Sequence, residues 1–201
     1  MKRKFPAGTE RVFLMSTPMR VVRQSIRSAM PPMGVSYIAA LIRDEFDVFI
    51  LDPAIEAYDQ IQEEEEEGFI SYGLNIDQIK KRISWYRPDV VGITCQFSCN
   101  WPWVVRICRA VKEIDPDIVT VAGGTHPAFL AEDLIINPDL DFIALGEGET
   151  AMQNLLRTLR DGETRHRWTD SPITLEERLV SISRCRLLRT WTLFRIPHAT
   201  C

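Results

Sequence analysis

Short, almost continuously apolar runs alternate along the chain with segments whose apolar residues recur at helical spacing. The runs are Arg11–Ser16 (RVFLMS), Asp47–Leu51 (DVFIL), Asp89–Thr94 (DVVGIT), Ile118–Ala122 (IVTVA) and Asp141–Leu145 (DFIAL). They predict strands buried on both faces, as in a parallel sheet covered by helices. Between them, Gly34–Asp44 carries Val35, Ile38, Ala39, Leu41 and Ile42, and Ile76–Tyr86 carries Ile76, Ile79, Ile83 and Tyr86 on one face. Trp103–Ile114, the short Phe129–Leu134 and Gly148–Arg160 complete the set of predicted helices, with Asn75 in the N-cap position of the second. Five β-α units predict an α/β fold: an open, doubly wound, parallel five-stranded sheet, Rossmann-like or flavodoxin-like. Right-handed crossovers then gather the strands' carboxyl ends on one edge, where such folds bind ligands.

Composition sets the limits of this picture. With 201 residues, 45% apolar and 26% charged, the chain reads as one soluble domain with some length to spare. Up to Glu163 there are 17 Lys and Arg against 25 Asp and Glu, a net of −8; from Thr164 on, seven Arg and three acids give +4. Residues 1–10 read as an extension, 11–163 as the α/β domain, and 164–201 as an irregular basic tail. The tail has helical apolar spacing only over Leu175–Leu188 and is too short for its own core, so it reads as a frame-shifted or truncated end rather than a domain. The overall charge of −4 lacks a nucleic-acid footprint, and no apolar run reaches the roughly 18 residues of a membrane span. Five cysteines at irregular spacing are a poor disulfide framework, and the expected location is cytoplasmic.

The segments following the strands carry the candidate chemistry. After the first comes a long loop ending in Pro31-Pro32-Met33-Gly34, and after the third Thr94-Cys95-Gln96-Phe97-Ser98-Cys99-Asn100, with Phe97 and Trp101 as candidate apolar walls. Gly123-Gly124-Thr125-His126-Pro127 follows the fourth, where paired glycines let a bulky group lie on the backbone. Gly146-Glu147-Gly148-Glu149 follows the fifth and leads into a helix N-terminus. Neither a GxGxxG after the first strand nor a GxxxxGK[ST] occurs, so the dinucleotide fingerprint and the P-loop are absent.

In this order, Pro31–Gly34 with Tyr37–Ala40, Pro88–Thr94, Gly123–Pro127 and Gly146–Glu149 resemble the N-terminal cobalamin-binding domain of radical-SAM proteins. Magnesium-protoporphyrin monomethyl ester cyclases and many cobalamin-dependent methyltransferases carry such a domain. The resemblance implies a corrin on the carboxyl edge, its nucleotide tail entering between sheet and helices. Thr94, Gly123, Gly124, Gly146 and Glu147 would line ring and tail, with Gln96, Asn100, Thr125, His126 and Gly148 beside them. It implies cobalamin held without a protein imidazole, since the DxHxxG of methionine-synthase-type domains is absent. It also implies a module without catalytic residues or a metal site of its own. The partner is then a missing radical-SAM domain, which would hold the [4Fe–4S] cluster and S-adenosylmethionine. Cys95 and Cys99 match the first spacing of CxxxCxxC, but position 102 is Pro102, so no cluster motif forms.

Each residue also has a plainer reading. His126 reads as a packing residue, Cys95 and Cys99 as small buried hydrophobes, and Glu147 and Glu149 as first-turn acids favoured by a helix dipole. The acidic run Glu63–Glu67 reads as a solvated mobile loop. Two other functions fit the fold: a nucleotide or nucleotide-sugar binding enzyme domain, and a receiver-like partner-binding domain. The latter lacks the acidic cluster that a phospho-acceptor needs after the first strand.

Overall fold

A computed structural model describes residues 11–28 and 30–161, together with the backbone of a strand at 179–181. The first strand, β1 (Arg11–Met15), is followed by β2 (Met19–Val22), α1 (Met33–Ile42), β3 (Asp47–Leu51), α2 (Pro53–Glu56), β4 (Ile61–Glu63) and β5 (Phe69–Tyr72). Then come α3 (Ile76–Tyr86), β6 (Val90–Thr94), a 3-10 turn at Ser98–Asn100, α4 (Trp101–Ile114) and β7 (Val119–Gly123). The chain continues through α5 (Thr125–Phe129), α6 (Ala131–Leu134), β8 (Phe142–Ala144), α7 (Gly148–Arg160) and β9 (Leu179–Ser181).

Strands β3-β1-β6-β7-β8 form the parallel five-stranded sheet expected from the apolar runs, with β9 added antiparallel outside β8. Strand order reverses between β1 and β6, which makes that boundary the switch point of a doubly wound sheet. Side chains alternate faces along each strand. Val12, Leu14, Val90, Val121 and Phe142 pack with Val35, Ile42, Leu155 and Leu156 of α1 and α7. Phe13, Met15, Val91, Ile93 and Ile143 pack with Ile79, Ile83, Val104 and Ile107 of α3 and α4. Each such side chain, fully buried, contributes roughly 1.5–3 kcal/mol, so the two helix layers are held by comparable apolar cores.

Local chemistry sets the boundaries. Asn75 and Gln78 form a reciprocal capping box at the start of α3, and Arg87 closes it in the left-handed region (φ 55°) just before Pro88. Lys112 of α4 donates to the carboxylate of Asp141 and to the Ile118 carbonyl, while Thr120 donates to the same carboxylate. This ties the entries of β7 and β8 to α4.

Three expectations need correction. The region predicted as open loop holds a second sheet, β2-β5-β4, antiparallel throughout. The acidic run is not a free loop: Glu63 lies in β4 and pairs with Arg23, and the Glu64 side chain is only 4% exposed. Glu64 accepts from Ser71 and from Arg106 at 3.2 Å, with Arg20 at 4.0 Å; Arg20 also donates to Glu66 at 2.5 Å. Trp103 of α4 donates to Ser71 at 2.8 Å, so the small sheet is fastened to α4 by a part-buried polar network. The single helix expected over Phe129–Leu134 is instead two short turns, α5 and α6, beginning at Thr125. Of the Leu175–Leu188 stretch, Leu179–Ser181 forms a strand; the rest of 164–201 lies outside the described residues.

Removing one partner from a buried ionic network strands the others without solvent. Glu64→Ala is therefore expected to lower stability by about 3 kcal/mol in urea unfolding, whereas exposed Glu65→Ala stays within about 0.5 kcal/mol. Equal effects of the two would show that the network contributes nothing.

Candidate functional site

On the face covered by α1 and α7, small residues gather towards the carboxyl edge. Alternate residues read Val90, Gly92, Thr94 along β6; Val119, Val121, Gly123 along β7; and Phe142, Ala144, Gly146 along and beyond β8. The result is a groove of about 390 Å³ between the sheet and the two helices, open at the carboxyl edge of the switch point. Leu14, Gly92, Val121 and Ala144 line it from the sheet, Val35 and Ile38 from α1, and Met152 from α7.

The glycines have different jobs. Gly124, with φ of 104°, would place a Cβ 2.6 Å from the Cys95 carbonyl oxygen, so its missing side chain is taken up by the neighbouring turn. That turn is laced down by Cys95 N–H donating to the Gly123 carbonyl at 2.8 Å and His126 N–H donating to the Cys95 carbonyl at 3.3 Å. A Cβ on Gly123 would meet only Ala144 Cβ, at 3.6 Å, so Gly123 is the open floor. The expectation that both glycines offer bare backbone thus holds for the first of the pair. Gly148, where a Cβ would come 3.1 Å from Ile38 Cδ1, sets the close approach of α7 to α1.

Of the residues singled out from the sequence, Thr94, Gln96, Gly123, Gly124, Thr125, Gly146, Glu147 and Gly148 all line the groove. Thr125 donates to Gln96 Oε1 at 3.0 Å, joining the turns after β6 and β7 at the mouth. Asn100 and His126 do not line it. Asn100 is buried, accepting from the Arg20 amide at 2.9 Å and donating to Met19 Sδ, and so serves the small sheet. His126 packs on Trp101 with centroids 5.4 Å apart, and partial burial lowers its pKa below the ordinary histidine value. The neutral imidazole is therefore favoured by the fold. Phe97 and Trp101, expected as walls, are not in the lining, and Trp103 is core. The helix residues Val35, Ile38 and Met152 and the strand residues Leu14, Val121 and Ala144 were missed. The small residues Gly92, Gly123, Ala144 and Gly146, all on one face near the ends of the third, fourth and fifth parallel strands, are the signal that points to this side of the sheet.

Two carboxylates, Glu147 and Glu149, line the groove, and no Lys or Arg does. The first turn of α7 lacks a side-chain cap, so its amide N–H groups sit beside Gly146 and Gly148 with Glu149 as a dipole-favoured acid. Cys95 and Cys108 are buried and their thiols are pushed up to about 12, chiefly by burial. Among the described residues no group of three metal-ligating side chains forms. No helix among the described residues is long and apolar enough to cross a membrane.

The sequence profile of the B12 binding domain matches residues 19–156. The chain belongs to the B12-binding domain family. As a B12-binding domain it is 30% identical over 186 residues to the cytidylyl-2-hydroxyethylphosphonate methyltransferase of Streptomyces wedmorensis, covering 88% of this chain and 35% of that protein. It is also 30% identical over 135 residues to the anaerobic magnesium-protoporphyrin IX monomethyl ester cyclase of Rubrivivax gelatinosus, covering 66% of this chain and 21% of the cyclase. The chain thus spans about a third or less of the length of these curated relatives. In fold, the B12-binding domain matches the cobalamin-dependent S-adenosylmethionine radical enzyme OxsB, with aqua-cobalamin and S-adenosylmethionine bound, at a TM-score of 0.58 and 18% identity. That match covers 77% of this chain and 19% of OxsB.

Two outcomes follow from the site's electrostatics. At pH 8, Cys95 and Cys108 are expected to resist iodoacetamide in the native state, and among the three cysteines of the described residues the half-buried Cys99 is modified first; peptide mass spectrometry reads the order. The His126 imidazole is expected to titrate below 6.5 by NMR. Its neutral-state preference supports the fold above that value and is lost as pH falls through the lower folded pKa. His126→Gln removes that share of the acid sensitivity.

Proposed function

We propose that this chain carries cobalamin, with the corrin on the carboxyl edge of the sheet and the nucleotide tail in the groove between the sheet and the α1–α7 pair. The observation that carries this reading is the groove itself, apolar inside, floored by Gly123 and opening at the switch point. Its chemistry fits the group. The corrin periphery bears neutral amides, which can donate to Glu147 and Glu149 and exchange hydrogen bonds with Thr94, Gln96 and Thr125. A nucleotide carrying several phosphates would want cations, and a groove lined by two acids and no Lys or Arg disfavours it. The lone imidazole of the described residues, His126, packs away from the groove on Trp101, which fits a corrin held by its tail and edge contacts rather than through an imidazole on cobalt.

Bound cobalamin supplies a cobalt centre that can carry a one-carbon group, and this chain's part is to seat, orient and partly desolvate it. The chain would serve a radical-SAM catalytic domain that holds the [4Fe–4S] cluster and S-adenosylmethionine. Segments that follow the strands' carboxyl ends leave Ile26, Met30, Met33, Phe97 and Phe129 largely exposed, with Ile26 94% and Phe129 82% accessible. Apolar residues so exposed around one edge suit a surface covered by a partner domain.

The test is reconstitution of the full chain with hydroxocobalamin followed by desalting. A corrin absorption band retained near one equivalent is expected at micromolar protein, and a colourless eluate overturns the reading. Gly123→Phe places a ring in the groove where a Cβ meets only ordinary contact. It is expected to weaken retention at least about tenfold with an unchanged melting temperature, a loss of about 1.4 kcal/mol of binding.

A further inference from the structure

We propose that the groove discriminates among corrinoids by the lower base of the nucleotide tail, accepting a flat apolar base and disfavouring one with a hydrogen-bonding edge. The inference rests on the corrinoid reading above and adds which tail the site takes.

The inner end of the groove is walled by Leu14, Val35, Ile38, Val121, Ala144 and Met152, the tips of Leu14 and Met152 lying over Gly92. None of these side chains offers a donor or acceptor beyond the weak thioether of Met152. The backbone there is engaged in the sheet, with Gly92 in register between Leu14 of β1 and Val121 of β7. Every polar lining side chain, including Thr94, Gln96, Thr125 and Glu147, comes from a strand's last residue, the turn beyond it or the start of α7. The groove is therefore polar at its mouth and hydrocarbon at its depth.

A base inserted edge-first leaves its far edge at that depth. The far edge of 5,6-dimethylbenzimidazole is a benzo ring with two methyl groups, which loses no hydrogen bond on leaving water. Adenine presents an exocyclic amine and ring nitrogens there, and burial without partners penalises each. A purely apolar pocket rejects a ligand for added polarity by about 100-fold at most, so a preference of about 10–100-fold is the expected scale.

Gly92 and Met152 set the depth. A Cβ on Gly92 would sit 2.8 Å from Leu14 Cδ2 and 2.9 Å from Met152 Cε, both the far ends of flexible side chains. Gly92→Ala therefore pushes those tips aside and towards the groove. Met152→Gln keeps similar bulk and places an amide where the base's edge would lie.

The experiment is equilibrium dialysis of the full chain, read by corrin absorbance, against cobalamin, its adenine-bearing analogue, a p-cresol-bearing analogue and cobinamide, which has no nucleotide tail. Cobalamin is expected to bind about 10–100-fold tighter than the adenine analogue, the cresol analogue to stay within about threefold of cobalamin, and cobinamide to be weakest. Gly92→Ala should lower cobalamin affinity at least about tenfold and leave cobinamide affinity unchanged. Met152→Gln should narrow the gap between cobalamin and the adenine analogue, with circular dichroism reporting that each variant is folded. Cobalamin and the adenine analogue binding within threefold of each other overturns base selection while leaving the corrinoid reading standing. Equal binding of all four, cobinamide included, removes the tail from the groove. If no corrinoid binds, the parent reading fails and this inference fails with it.

Discussion

A helix layer can lie on a sheet only as closely as the side chains between them allow, and here that spacing changes along the strands. At the amino edge, Val90, Val119 and Phe142 meet Ile42, Leu155, Leu156 and Leu159 in a filled core. Glu45, in the turn after α1, pairs with Arg157 and Arg160 at the end of α7, which pins the two helices together where the packing is full. Further along, Gly92 on β6, Gly123 on β7, and Ala144 and Gly146 along and beyond β8 take up far less room. The helices span this stretch with the groove beneath them. The close Gly148–Ile38 approach keeps them together as a roof.

The opposite face has no such gap. Met15, Ile93 and Cys95 continue the packing to the carboxyl end, where Trp103 and the start of α4 close it. The small antiparallel sheet adds to this closure, since Trp103 donates to Ser71 of β5 and Asn100 accepts from Arg20 of β2. Tyr72 of β5 exchanges hydrogen bonds with Ser28 through its hydroxyl, and Tyr58 donates to the Arg27 carbonyl. The chain between β2 and α1 is thereby held on the far side of β1 before it crosses over to form the groove's wall. One face is sealed by polar fastening and the other is left hollow by small residues.

Much of this was legible in the sequence because parallel strands buried on both faces have few ways to be written. The runs around Val12, Val48, Val91, Val121 and Ile143 locate all five parallel strands, and the cap at Asn75 and the apolar spacing from Gly148 to Arg160 locate two helices to the residue. The turn glycines pointed to the right edge for a physical reason: a groove at the end of a strand needs a place without side chains. The small sheet escaped because MRVV, IQE and FISY are three or four residues long, and IQE runs straight into an acidic stretch that alone argues for solvent. Glu64 is buried there because three basic or hydroxyl partners from distant segments converge on it, which no local pattern records. Asn100 and His126 were placed with the groove on proximity to the turns, yet a side chain's direction out of a turn is decided by tertiary contacts. The α1 and α7 walls escaped for the same reason: Ile38 and Met152 look like any other core positions on their helices.

The strand at Leu179–Ser181 changes what the sheet presents to other molecules. It runs antiparallel along Phe142–Ala144, so the ladder of amides and carbonyls that β8 would otherwise offer is already answered by the same chain. The flank at β3 is the other place where the main sheet ends, and there Arg11 and Asp47 stand charged beside the register. The main sheet thus ends at the three-residue β9 on one side and at β3 on the other, and a very short edge and a charged one both disfavour pairing between copies. A chain cut ahead of Leu179 would uncover the apolar ladder of Phe142–Ala144, an edge open to a strand from another molecule.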